Sequence, residues 1–297
     1  MYNYYNIDQH ILMNDLSKET LVNVSNLCSL AYKEDHEMIK LYDDYSNEIH
    51  IDNNCACVFP KLKCCPKYYE GDNNDCEFYI CFDKSDNLMV IFRGTESYRD
   101  ILSDLNASRS KFTIPNLNHS DYPYVHSGFL RQFNSIMNKL NSIINTYITN
   151  KGYFNKKHIT FSGHSLGGAL ATLAALYYHY KYKYYNIYVN CVSFGSPRVG
   201  GSLFCRLFNN SIHKSYRFVN KNDIVTMIPT RWRFKHVDGL KWFNDKEVKD
   251  HMENRFWDSF TSTFINWFGN TVSDSSSFID DHSCNLYIEK LQKYYPE

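Results

Sequence analysis

The chain has 297 residues, of which 43% are hydrophobic, so it is long enough to bury a substantial core in one large domain or two smaller ones. Lys+Arg and Asp+Glu each number 32, which excludes the strong basic field typical of nucleic-acid-binding proteins. No stretch reaches the roughly 18 to 20 apolar residues of a membrane-spanning helix, and the N-terminus lacks the basic and apolar segments of a secretion signal. We therefore expect a non-secretory protein, for example a cytoplasmic one, without a transmembrane segment.

The N-terminal third contains three recognisable patterns. Apolar residues at helical spacing predict a helix over residues 12–34, and the polar, cysteine-rich residues 50–75 have no period and predict a loop or short insertion. Two aromatic and β-branched runs, residues 77–82 and 88–94, are separated by five polar residues, which predicts a β-hairpin.

Helices and strands alternate through the middle of the chain. Residues 129–147 carry apolar side chains every three or four positions and predict a long amphipathic helix. A strand at 158–161, an Ala/Leu-rich helix at 166–178, and strands at 187–194 and 216–219 follow. This alternation predicts the α/β class, with a mostly parallel central sheet and helices on both faces.

Ten cysteines are many for a non-secretory protein, and six of them lie between residues 55 and 81. Their spacing lacks the paired C-x-x-C hooks of a zinc site, and disulfides require an oxidising compartment. We therefore expect reduced thiols, several of them in strands. The clustered cysteines are Cys55, Cys57, Cys64, Cys65, Cys76 and Cys81.

A glycine-bounded serine lies between a predicted strand and a predicted helix. Residues 163–167 read GHSLG, which matches the G-x-S-x-G pattern in the required context. A sharp strand-to-helix turn exposes the hydroxyl of Ser165, and its flanking glycines let neighbouring backbone pass closely. The alternative is an ordinary turn that joins a strand to a helix, but the context favours a nucleophile.

Five segments in order carry a family resemblance. Residues 163–171 (GHSLGGALA), 90–95 (VIFRGT), 125–129 (VHSGF), 194–200 (FGSPRVG) and 219–225 (VNKNDIV) resemble the class 3, fungal-type lipase family of the α/β-hydrolase superfamily. That family includes triacylglycerol lipases and plant phospholipases. The resemblance implies a single α/β-hydrolase domain over residues 1–297, without metal or cofactor. The cysteine-rich residues 50–76 and the aromatic residues 231–275 then read as insertions.

A serine nucleophile requires an imidazole base and a carboxylate that orients it. In the α/β-hydrolase chain order, both partners follow the serine. Asp223 ends a strand and opens a loop, which favours it as the acid over a turn or cap aspartate. The histidines after Ser165 are His179, His213, His236, His251 and His282.

Chain order removes two of these histidines, because His179 lies far along the helix after Ser165 and His213 precedes the acid. By resemblance His236 is structural and His282, just before the last helix, is the base. His251 remains the main alternative.

The oxyanion that forms during ester cleavage requires two hydrogen-bond donors. The backbone N–H of Leu166 directly follows the nucleophile and supplies one. By resemblance Thr95 supplies the second, although residues 93–95 also fit an ordinary strand exit. His126 and His164 fall outside the chain order required of the base and are interpreted as structural.

A short helical lid is predicted after Thr95. Its apolar face comprises Tyr98, Ile101, Leu102 and Leu105, and the alternative is a permanent core helix. The aromatic segment at 256–268 fits a second amphipathic helix that contacts the pocket or a membrane, but core packing is favoured.

Together these patterns predict a serine hydrolase that cleaves carboxylic esters of acyl lipids, in the manner of a triacylglycerol lipase. The expected partners are an acyl lipid or other ester and, transiently, a lipid surface. Phospholipase A or small-ester carboxylesterase activity on the same residues is the alternative, since pocket walls decide the substrate. A hydrolase-like scaffold that binds without turnover is a third reading.

Overall fold

The computed structural model describes residues 16–32, 67–70, 76–83, 85–95, 108–117, 121–150, 152, 156–251 and 280–295. The α-helices are α1 (Lys18–Leu30), α2 (Ser127–Asn150), α3 (Leu166–Lys181), α4 (Ser202–Ser211) and α5 (Cys284–Tyr294). The first strands are β1 (Lys67–Glu70), β2 (Glu77–Phe82), β3 (Leu88–Phe92), β4 (Arg109–Lys111) and β5 (Tyr124–His126). The others are β6 (Lys157–His164), β7 (Ile187–Phe194), β8 (Lys214–Asn220), β9 (Leu240–Phe243) and β10 (Val248–Lys249), and Ile224–Met227 is a 3₁₀ helix.

The central sheet has a parallel middle and antiparallel edges. In the described part of the chain, eight strands pair in the order β1-β2-β3-β6-β7-β8-β9-β10. Strands β3, β6, β7, β8 and β9 are parallel to their neighbours in this series, whereas the β1–β2, β2–β3 and β9–β10 pairs are antiparallel. The predicted hairpin is confirmed as β2–β3, and the predicted mostly parallel sheet is confirmed as well. A two-stranded ribbon of β4 and β5 lies outside it.

Helices cover both faces of this sheet. Side chains of α2, α3 and α4, such as Phe133 and Phe204, pack with Phe161 of β6 in one buried cluster. Side chains of α1 and α5 pack with Phe194 of β7 and Phe218 of β8 in a second cluster. Adjacent strand residues join opposite clusters because successive side chains of a strand point to opposite faces. The predicted α/β class with helices on both faces is confirmed.

The predicted elements differ from the observed ones mainly near the edges of the sheet. The loop prediction for residues 50–75 is wrong at Lys67–Glu70, which pairs with β2 as an edge strand. The region after residue 231 contributes β9 and β10, which sequence analysis did not identify, and its Trp242 and Phe243 are buried. Helix α1 begins at Lys18, where the Ser17 side chain accepts a hydrogen bond from the N–H of Thr20. Strands β1, β9 and β10 are short, so the alternation of side chains along their sequences is weak.

Several predictions fall on residues that the structure does not describe, among them the lid and the aromatic segment at 256–268. Among the described cysteines, Cys28, Cys191, Cys205 and Cys284 are free thiols. Cys81 lies in β2 and Cys191 in β7, and sequence analysis predicted several cysteines in strands. No helix within the described ranges combines the length and apolar character that crossing a bilayer requires.

The parallel strands place three loops side by side. Strands β6, β7 and β8 are neighbours with the same direction, so their carboxyl ends share one edge of the sheet. Ser165 follows β6, Gly195 follows β7, and Asp223 lies just beyond β8. Loops at the carboxyl ends of strands are where open α/β sheets bind ligands.

Candidate active site

Ser165 occupies a strained turn that its neighbours make possible. Its φ of 59° and ψ of −125° are unusual for a residue with a side chain, and its N–H donates to the carbonyl of Phe194 at 2.9 Å. A Cβ added to Gly163 would lie 2.3 Å from the carbonyl carbon of Gly167, and one added to Gly167 would lie 2.2 Å from the carbonyl oxygen of Phe92. Glycine at both flanks is therefore required by close backbone contacts.

The Ser165 hydroxyl lies at the N-terminal end of α3. The residue caps the helix without using its side chain, and its Oγ is buried with no hydrogen-bond partner among the described residues. The N–H of Leu166 is the first of the helix and, like all first-turn N–H groups, has no acceptor within the helix. The N-terminal end of a helix also carries a partial positive charge. This end of α3 can therefore stabilise an anion next to Ser165.

Thr95 lies beside the same turn. A Cβ added to the preceding Gly94 would lie 2.6 Å from the carbonyl oxygen of His164, so the segment that follows β3 approaches the residue before the serine. Thr95 is half-buried. Tyr98, Ile101, Leu102 and Leu105, predicted as lid residues, lie outside the described part of the chain.

Asp223 and His282 form a buried pair. The imidazole Nδ1 lies 2.8 Å and 2.9 Å from the two carboxylate oxygens of Asp223. Asp223 is fully buried and His282 is 8% exposed. Donation by Nδ1–H to the carboxylate leaves Nε2 of the neutral ring as the acceptor of a proton. This is the tautomer that a general base requires.

Two more donors fix the Asp223 carboxylate. The N–H of Val225 donates to Oδ1 at 2.9 Å, so Asp223 also caps the 3₁₀ helix. The hydroxyl of Tyr287, which is buried on α5, donates to Oδ2 at 2.5 Å and accepts from the N–H of Asn220 at 2.9 Å. Burial, and then the Asp223 charge, raises the pKa of Tyr287 well above its usual range, so it remains a donor. Sequence reasoning missed Tyr287, because its spacing from His282 carries no local signal.

Asp223 and His282 pack against Gly195, and the residue before Gly195 is hydrogen-bonded to Ser165. Its φ is +58°, and a Cβ added there would lie 2.7 Å from Asp223 Oδ2 and 3.0 Å from Cε1 of His282. Phe194, the residue before it, accepts the hydrogen bond from Ser165. Within the described structure, neither Ser165 Oγ nor His282 Nε2 has a hydrogen-bond partner, so the two atoms are not bonded to each other. Catalytic hydrogen bonds are often long without substrate and tighten when it binds.

The other histidines occupy different surroundings. His236 is half-buried, and its Nε2–H donates to the carbonyl of Thr226 at 2.7 Å. Burial lowers the pKa of His236 well below its usual range, with the charges of Arg217 and Arg198 as further causes. His251, the alternative base, is exposed. Of these histidines, His282 is the one that contacts the buried carboxylate.

Arg198 secures the acid loop. The Arg198 guanidinium donates to the carbonyl oxygens of Met227 and Pro229, and the backbone N–H of Arg198 donates to the carbonyl of Ile228 at 2.8 Å. The described residues contain no cluster of His, Cys, Asp and Glu side chains that could hold a metal ion. The arrangement thus provides a strained serine, an oriented imidazole and a helix N-terminus.

Comparison with known proteins identifies related sequences and folds. Residues 89–232 match the family model described as lipase (class 3). Phospholipase A(1) DAD1, chloroplastic, of Arabidopsis thaliana is 33% identical over 165 residues, which cover 50% of this chain and 37% of the relative. A lipase of Rhizopus niveus is 28% identical over 167 residues, which cover 54% of this chain and 39% of the relative. The matches thus span well under half of either relative's length.

A solved structure supports the fold over a longer stretch. The triacylglyceride lipase of Rhizomucor miehei superimposes with a TM-score of 0.61 at 21% identity, covering 90% of this chain and 94% of that one. The similarity extends beyond the family segment to the sheet and its helices. The fold is therefore that of the α/β-hydrolases, and within it residues 89–232 match the class 3 lipase family.

Proposed function

We propose that this protein is a serine hydrolase that cleaves carboxylic esters of acyl lipids. The observation that carries the proposal is the buried Asp223–His282 pair, with Nδ1 at 2.8 Å and 2.9 Å from the carboxylate, next to a serine on a strained strand-to-helix turn. A buried carboxylate is costly to maintain unless it is hydrogen-bonded, and Asp223 accepts hydrogen bonds from His282, Val225 and Tyr287. The family segment supports the same reaction class.

In the proposed reaction, Ser165 Oγ attacks the acyl carbonyl while His282 Nε2 accepts its proton. The oxyanion takes hydrogen bonds from the N–H of Leu166 and from Thr95, and Asp223 stabilises the imidazolium. Collapse transfers the proton to the leaving alcohol and leaves an acyl group on Ser165. A water molecule, deprotonated by His282, then releases the fatty acid and restores the serine.

Phospholipid hydrolysis is a second candidate. It is favoured by the similarity to phospholipase A(1) DAD1, which has higher identity than the Rhizopus niveus lipase over a segment of similar length. Both reactions use the same nucleophile and oxyanion donors, and the walls of the pocket select the head group.

A fluorophosphonate probe tests the catalytic proposal directly. The probe phosphonylates an activated serine, so the wild-type protein should be labelled on Ser165, as identified by mass spectrometry of its peptides. Ser165→Ala should abolish labelling, whereas Ser202→Ala, an exposed serine at the start of α4, should leave it unchanged. A protein that binds esters without turnover would remain unlabelled, which would refute the proposal.

Substrate class is measured separately. Initial rates on p-nitrophenyl esters of increasing chain length, with and without detergent, should rise with chain length and at the onset of micelles. Fatty-acid release from triacylglycerol and from phosphatidylcholine emulsions then distinguishes the two candidates. A flat chain-length profile without gain at interfaces would refute the lipid substrate and leave ester hydrolysis standing.

A further inference from the structure

His164, the residue before the candidate nucleophile, forms two hydrogen bonds with groups far away in sequence. Its Nε2 lies 2.7 Å from the backbone carbonyl oxygen of His282, and its Nδ1 lies 2.7 Å from the hydroxyl of Tyr32. Its ring centroid is 4.5 Å from that of His282 and 5.8 Å from that of Tyr287. The side chain therefore lies between the end of α1 and the loop that carries the candidate base.

These partners determine which nitrogen of His164 carries the proton. A carbonyl oxygen accepts but never donates, so Nε2 must be the protonated nitrogen that donates to His282. Nδ1 is then the acceptor of the Tyr32 O–H. Burial lowers the pKa of His164 well below its usual range, and the nearby His282 ring lowers it further. The ring therefore remains neutral, and both nitrogens are satisfied.

Tyr32 also touches the opposite side of the site. A Cβ added to Gly94 would lie 2.0 Å from the Tyr32 hydroxyl oxygen, and Gly94 immediately precedes Thr95. Tyr32 follows α1, and His282 precedes α5, so neither residue belongs to the family segment at 89–232. Helices α1 and α5 pack in the same buried cluster. The Tyr32 hydroxyl thus contacts the segment that follows β3 and, through His164, the loop that carries His282.

We propose that Tyr32 is a positioning residue for the reaction, acting through His164 on the backbone of His282; this inference rests on the proposed function. The Tyr32 O–H fixes His164 in its Nε2–H form, and that N–H holds the His282 carbonyl. His282 is then held at two points: Asp223 accepts from Nδ1 of its ring, and His164 donates to its backbone carbonyl. Helix α1, which Tyr32 follows, thereby contributes to the orientation of His282.

Removal of the Tyr32 hydroxyl should lower catalysis without changing substrate affinity. In Tyr32→Phe, Nδ1 loses its donor, the other tautomer becomes accessible, and the His282 carbonyl loses a fixed partner. We expect kcat to fall about tenfold, the factor that corresponds to one lost hydrogen bond, with KM nearly unchanged. The rate of fluorophosphonate labelling of Ser165 should fall by a similar factor.

The matched control is Tyr147→Phe. Its hydroxyl, on α2, lies 3.0 Å from the carbonyl oxygen of Asp86 and 3.4 Å from that of His158, so this variant also removes one partly buried O–H donor. We expect a comparable loss of thermal stability in both variants but wild-type labelling in Tyr147→Phe alone. Equal labelling rates for Tyr32→Phe and the wild type would overturn the proposal.

Nitrogen-15 NMR of the histidine rings adds a readout that needs no turnover. In the wild type at pH 7, His164 should give the signature of a neutral Nε2–H ring, assigned by its loss in His164→Gln. A His164 ring protonated on Nδ1 would refute the proposed positioning role of Tyr32 even if the enzyme is active. If the wild type is not labelled at all, the proposed function fails, whereas the NMR result still reports whether the hydrogen bonds exist.

Discussion

Tyr287→Phe tests how far the buried hydroxyl on α5 supports the acid. The substitution keeps the aromatic ring in the core and removes one oxygen, which donates to Asp223 Oδ2 at 2.5 Å and accepts from the Asn220 N–H at 2.9 Å. The carboxylate keeps its contacts with His282 and Val225. The change therefore acts on the orientation of Asp223 more than on its presence.

The expected magnitude follows from these two hydrogen bonds. A hydrogen bond to a charged group contributes about 1.5 to 3 kcal/mol, and the neutral one about 1 kcal/mol, so the free energy of unfolding should fall by about 2.5 to 4 kcal/mol. Part of that loss concerns the orientation of the carboxylate toward the imidazolium of the transition state. We expect kcat to fall about tenfold, equivalent to about 1.4 kcal/mol, with KM nearly unchanged.

Urea denaturation and initial rates on a soluble p-nitrophenyl ester measure both effects. Tyr178→Phe is the control, since its ring is also buried and its hydroxyl donates to a neutral amide, Oδ1 of Asn141 at 3.0 Å. That variant should lose about 1 kcal/mol of stability and keep its kcat. If Tyr287→Phe keeps the wild-type kcat and loses no more stability than Tyr178→Phe, the hydroxyl does not position the acid.

Two further predictions concern the backbone and pH. Gly195→Ala places a Cβ 2.7 Å from Asp223 Oδ2 at a φ of +58°, so kcat should fall about a hundredfold in ester assays. The control Gly201→Ala, whose added Cβ has its nearest contact at 3.6 Å, should keep the wild-type kcat. Equal activity of the two variants would contradict the packing argument. His164 and His236 have lowered pKa values when folded, so below pH about 6.5 the unfolded chain binds protons that the native chain does not, and stability should fall by up to about 1.4 kcal/mol per pH unit for each histidine. Urea unfolding between pH 7.5 and 5.5 measures this slope, which His236→Gln should reduce; a flat profile would contradict it.

The sequence by itself determined the features that depend on local patterns. Alternating and helical periods located the hairpin β2–β3, helix α2 and strand β7, because side chains repeat every two residues in a strand and about every 3.6 in a helix. The glycines around Ser165 predicted a close turn, and the structure has backbone contacts there that exclude any side chain. Chain order limited the candidate acid and base to residues after the serine.

Tertiary structure decided which distant groups meet. Order along the chain left His236, His251 and His282 open. The fold brings His282, 59 positions away, to Asp223, whereas His236 donates to the carbonyl of Thr226 and His251 is exposed. Tyr32 and His164 are 132 positions apart, and no period or spacing relates them. Their contact depends on α1 and α5 packing against the same face of the sheet as neighbours. Local patterns encode elements, but strand order and helix packing set the distances between side chains.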